Sequence, residues 1–128
     1  MKQIIDKLKS LILAIEKENA PLLICALFLR EEPLEKWDIV ISATWLDSQE
    51  MQSYEIISSK LQTYLSDSEL VQFSRVVILD QDDPVVSYLQ NLETLSNGGY
   101  KELRAEDLSE KFKFTIKRAY LLRSQKRD

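Results

Sequence analysis

Two stretches decide the fold: Trp37-Asp38-Ile39-Val40-Ile41-Ser42-Ala43-Thr44-Trp45 and, further along, Arg75-Val76-Val77-Ile78-Leu79. In the first, Ile39, Ile41, Ala43 and Trp45 alternate with Val40, Ser42 and Thr44, the two-residue period of a strand. In the second, Val76 to Leu79 is continuously apolar, as in a strand covered on both faces. Between them, Ser48 to Leu65 sets Met51, Tyr54, Ile57, Leu61 and Leu65 at helical spacing. Strand, helix and strand in succession imply a right-handed crossover, so the strands at 38–45 and 75–79 are expected to run parallel.

Upstream, Ile4, Ile5, Leu8, Leu11, Ile12 and Ile15 recur at helical spacing over Lys2 to Glu18, and Asn19-Ala20-Pro21 ends that helix. Leu22 to Leu29 is an uninterrupted apolar run, read as a central strand. A short polar connection makes it antiparallel to 38–45, which carries hydroxyls on one face and so reads as nearer an edge. Ser66-Asp67-Ser68-Glu69 can start a further helical turn. Downstream, Pro84 opens a helix carrying Val85, Val86, Leu89 and Leu92. Ser96-Asn97-Gly98-Gly99-Tyr100 reads as a turn opening a loop to about Glu106. Residues 111–122 fit two patterns. Lys111 to Lys117 alternates as a strand does, while Leu108, Phe112, Ile116, Ala119 and Leu122 share a helical stripe. Strand is preferred, with lysines guarding an edge.

These elements describe an α/β domain, with α+β as the other possibility. It is built on a small mixed sheet in the order helix, strand, strand, helix, strand, helix, strand. At 128 residues, with 45% hydrophobic and 30% charged residues and only two Gly, the chain fits one domain over 1–128. The segment from about 124 to 128 is expected to be a frayed basic tail.

Charge is unevenly placed. Residues 1–100 hold 8 basic against 16 acidic residues and residues 101–128 hold 9 against 5, which together give the net −4. An acidic body with a basic end, including Arg118, Arg123, Lys126 and Arg127, suggests that the end packs on its own body. An acidic balance of this kind disfavours nucleic acid as a partner. Lys2, Asp6, Lys7 and Lys9 interrupt the N-terminal apolar residues, so a secretory signal is not expected there. The longest apolar run, Ala20 to Leu29, is about half of what a membrane span needs. A soluble, cytoplasmic protein with no membrane association is expected.

The chain has one Cys and no His. Cys/His metal sites and Cys-His or Ser-His nucleophile pairs are therefore excluded, and Cys25, inside the apolar run, reads as core filler. Asn97-Gly98-Gly99 lacks the spacing of a phosphate loop. The restriction-nuclease pattern of an acid followed by Glu-x-Lys on the next strand is not met either, because Asp38 is available but Glu55 and Lys60 fall in a helix.

One place remains for a site. Parallel strands end on the same sheet edge, where open α/β sheets bind ligands, and here both ends are acidic: Asp47 after the strand at 38–45, and Asp80, Asp82 and Asp83 after the strand at 75–79. Such carboxylates could hold Mg²⁺ or Mn²⁺ and support a small metal-dependent phosphoesterase or nuclease. Against this, Asp47, three residues before Glu50, and Asp83, just before Pro84, are placed to cap helices. Asp80 is the ligand candidate that capping least explains. Trp37 and Trp45, on one face, read as core cover or as a partner interface. The favoured function is a non-catalytic protein-interaction or homodimerising module without a cofactor. The metal-dependent hydrolase is the alternative.

Overall fold

The computed structural model describes residues 1–31, 36–95, 99–112 and 115–126. Its elements are α1 (Lys2–Glu18), β1 (Ile24–Arg30), β2 (Trp37–Ser42), α2 (Met51–Tyr64), α3 (Asp67–Leu70), β3 (Phe73–Ile78), α4 (Pro84–Leu92), β4 (Lys101–Leu103), α5 (Ala105–Phe112) and β5 (Ile116–Ser124). The strands form one mixed sheet in the order β3-β2-β1-β5-β4. β1 is antiparallel to both β2 and β5, β4 is antiparallel to β5, and β2 and β3 are parallel, as the crossover rule requires.

Helices cover both faces, so the domain has three layers. Because side chains alternate across a strand, Cys25, Leu27 and Leu29 of β1 and Ile39 and Ile41 of β2 share one face. There they pack with Leu8, Ile12 and Ile15 of α1 and Ile57 and Leu61 of α2. Ile24, Ala26 and Phe28 point the other way with Val40, onto Val86 and Leu89 of α4 and Leu108 of α5. Two-sided burial explains why β1 reads as an unbroken apolar run.

Several expectations from sequence need correction. β2 stops at Ser42, because Leu46 donates its amide to the Ala43 carbonyl and closes a turn; Trp45 therefore lies beyond the strand rather than at its end. β2 is an interior strand, and of the hydroxyls Ser42 is buried within it while Thr44 lies past its end and is exposed. β5 is likewise interior: it starts at Ile116, while Lys111 and Phe112 close α5, so the 111–122 segment divides between the two readings. Lys113 and Phe114 lie outside the described residues. The stretch expected to be loop as far as Glu106 contains β4 and the start of α5; of the turn proposed before it, Ser96, Asn97 and Gly98 lie outside the described residues.

The basic end is not frayed from 124. Ser124 exchanges backbone hydrogen bonds with Leu95 at 2.8 and 3.0 Å, and Gln125 donates its amide to Leu23. Arg123 is buried and pairs with Glu16 at 2.7 Å, and the same carboxylate accepts from the Leu22 amide and the Gln125 side chain. The acidic body and basic end are thus joined, α1 to β5, through one buried ion pair. Arg127 and Asp128 lie outside the described residues.

Candidate functional site

At the C-terminal ends of β2 and β3 the chain leaves the sheet in opposite directions, into α2 over one face and α4 over the other. Diverging connections open a crevice at that edge. A cleft of about 970 Å³ lies there, lined by Thr44, Trp45, Asp47, Asp80, Gln81 and Asp82 from the two loops, Ser87, Gln90 and Asn91 from α4, and Lys126. Three of the four acids singled out in the sequence therefore meet in one cleft. Asp83 does not line it.

The carboxylates are occupied locally. Asp80 accepts from the Ser48 amide (Oδ1, 3.0 Å) and from the Ser48 hydroxyl (Oδ2, 2.6 Å), which holds its pKa below the ordinary carboxylate value. It ties the loop before α2 to the end of β3. Asp47 accepts from the Gln49 amide at 2.8 Å, a local turn, and is not the cap of α2: the residue at that position is Glu50, without a side-chain cap. The Asp47–Glu50 pair is a turn in which Glu50 donates its amide to the Asp47 carbonyl at 3.1 Å. Asp83 is the N-cap of α4, accepting from the Val85 amide at 2.9 Å, and Pro84 follows at the first helical turn as its missing amide allows. Among the described residues, no three of the His, Cys, Asp or Glu side chains come together in a group that could hold a metal ion.

Trp37 is buried and stacks on Tyr120 with ring centroids 5.6 Å apart. Trp45 is half-buried at the cleft wall and donates its indole N–H to the Ala20 carbonyl at 3.1 Å. Both tryptophans close the α1/α2 side of the core.

At the opposite end of the same strands lies a polar cluster that the sequence reading passed over. The Asp38 carboxylate, 1% exposed, pairs with Arg30 at 2.8 Å and Arg75 at 3.2 Å, and Arg30 also donates to the Ser74 hydroxyl. The signal was present in the alternation, because Asp38 shares its face with the buried Val40, where a carboxylate needs cationic partners.

β3 itself is the remaining feature of note. It is the last strand of the sheet, six residues long, and its outer edge has no backbone partner among the described residues. Leu79 donates its amide to Ile41 on the β2 side, so the alternation of a parallel ladder turns the backbone groups of Val76 and Ile78 outward. A register shift opposite Trp37 and Asp38 marks a bulge before this regular part. The other edge, β4, is only three residues long and carries Lys101 and Glu102. Short length and charge are the usual protections of an exposed edge. β3 has Arg75 alone.

No protein family, curated protein or solved structure matches the chain.

Proposed function

We propose that this chain is a non-catalytic protein-interaction module that takes a partner's strand on the outer edge of β3. The observation that carries this reading is the outward-facing Val76–Ile78 backbone on an edge strand of ordinary length. Strand addition satisfies such groups and is a recurrent mode of recognition. Val71, 64% exposed, adds apolar surface just before the strand. A phosphoesterase working through Asp80, Asp82, Asp83 and Asp47 lacks comparable support, because both oxygens of Asp80 already serve Ser48. We place the module in the cytoplasm, where the single buried thiol of Cys25 stays reduced. No helix among the described residues is long and apolar enough to cross a membrane.

The test is Val76→Pro. Its amide points away from β2, so Pro leaves the β2–β3 ladder intact and removes the outward donor; the packing of the Val76 side chain on the core is lost as well, which the matched melting controls for. Tagged wild-type and variant chains, matched for thermal melting, are compared for the proteins that co-purify, untagged copies of the chain included. Loss of association in the variant supports strand addition. Equal association in both, together with fast hydrogen exchange at Val76 and Ile78 in the assembled wild-type, excludes it.

A further inference from the structure

Resting on that reading, we infer that the strand added to β3 is the β3 of a second copy, antiparallel and related by a two-fold axis at Val77, so that the two sheets become one of ten strands.

Charge along the edge points to a second copy. β3 is basic near its start, where Arg75 is half-exposed and shares the single Asp38 carboxylate with Arg30, and runs at its end into Asp80, Asp82 and Asp83. Antiparallel self-pairing lays the basic end of each strand toward the acidic end of the other. The contact is closed by symmetry, because the same patch serves both copies.

The register follows from two further constraints. Outward-facing residues must sit opposite outward-facing residues for an antiparallel ladder to form, which puts the axis on a residue and not between two; over Phe73 to Leu79, axes at 75, 76 and 77 pair the most strand. An axis at 75 sets the two Arg75 side chains directly opposite, and one at 76 leaves them two residues apart. Like charges that close oppose pairing. An axis at 77 separates them by about 14 Å and sets each Arg75 opposite the partner's Leu79, one residue from the acidic run.

The same axis uses only the strand beyond the bulge. It pairs Val76 with the partner's Ile78, Ile78 with the partner's Val76, and Val77 with the partner's Val77. All side chains at its centre are apolar, and none of these pairs requires the irregular backbone near Ser74 and Arg75.

Cysteine scanning reads the register directly. Burial pushes the Cys25 thiol up to about 12, so it stays silent in mild oxidation. Val77→Cys chains should cross-link to each other, since non-hydrogen-bonded antiparallel pairs bring Cα atoms to about 4.5 Å. Val76→Cys and Arg75→Cys should not. Sedimentation of the wild-type chain should give twice the monomer mass, weakening as salt is raised, and Val76→Pro should return it to monomer. A wild-type chain that stays monomeric at about 1 mM overturns the inference, as does cross-linking at 75 or 76 in preference to 77. If the chain is monomeric but Val76→Pro loses a different partner protein, the second copy is excluded while strand addition on β3 stands. If Val76→Pro changes neither assembly, strand addition fails with it.

Discussion

Asp80 and Ser48 are joined twice: the carboxylate accepts from the Ser48 amide at 3.0 Å and from the Ser48 hydroxyl at 2.6 Å. The carboxylate that the sequence offers as a metal ligand thus fastens the loop before α2 to the end of β3, two connections that leave the sheet on opposite faces.

The link has a pH signature. Ser48 lowers the pKa of Asp80 in the folded state from its ordinary 3.8, so the contribution is present above that value and is lost as pH falls through the folded pKa. Asp80→Asn keeps the shape but weakens the acceptor. We expect its thermal midpoint to lie below wild-type at neutral pH and to converge with it in acid. A constant gap across pH 2–7 counts against the assignment.

The same geometry bears on metals. With both Asp80 oxygens engaged, millimolar Mg²⁺ or Mn²⁺ should leave the melting temperature unchanged and release no heat on titration. Binding at millimolar or tighter that disappears in Asp80→Ala would restore the hydrolase reading.

Two acids offered as caps should differ. Asp83→Ala removes a true N-cap hydrogen bond and should cost about 1 kcal/mol in urea denaturation. Asp47→Ala removes only a turn contact and should cost less than about 0.5 kcal/mol. Equal losses would mean that Asp47 supports α2 in a way its hydrogen bonds do not reveal.

The buried ion pairs should be the most sensitive polar positions. Asp38→Ala leaves Arg30 and Arg75 facing each other without their carboxylate, and Arg123→Met leaves Glu16 without its cation. Arg123→Met should cost roughly 3 kcal/mol, because it strands the part-buried Glu16, whereas Asp38→Ala should cost less, about 1–2 kcal/mol, because Arg75 is half-exposed and keeps its hydration. Losses under about 1 kcal/mol would show that water reaches these sites.

What the sequence by itself determined is whatever depends on local periodicity and local chemistry. The helical spacing of Ile4 to Ile15 determined α1, the apolar run at 22–29 determined β1, and Asp83-Pro84 determined the start of α4, because hydrophobic period and cap residues act within a turn or two; the run at 75–79 marked a strand there, but β3 is a half-buried edge over Phe73–Ile78 and not a strand covered on both faces. The parallel pairing of β2 and β3 followed from chain order and handedness. The meeting of Asp47, Asp80 and Asp82 at one edge followed in turn from that pairing.

Only the tertiary structure decided what those residues do there. Ser48 lies far from Asp80 in the chain, and only the sheet brings the hydroxyl to the carboxylate. Arg123 reads as part of a charged end and is buried because β5 enters the sheet between β1 and β4, where Glu16 waits on α1. Edge and interior cannot be read from a strand's own residues either. The hydroxyls of β2 suggest an edge and the lysines before β5 suggest another, yet both strands are interior, while the outer edge of β3 has no backbone partner among the described residues. A strand's neighbours are set by long-range pairing, and no local pattern encodes which side of it stays free.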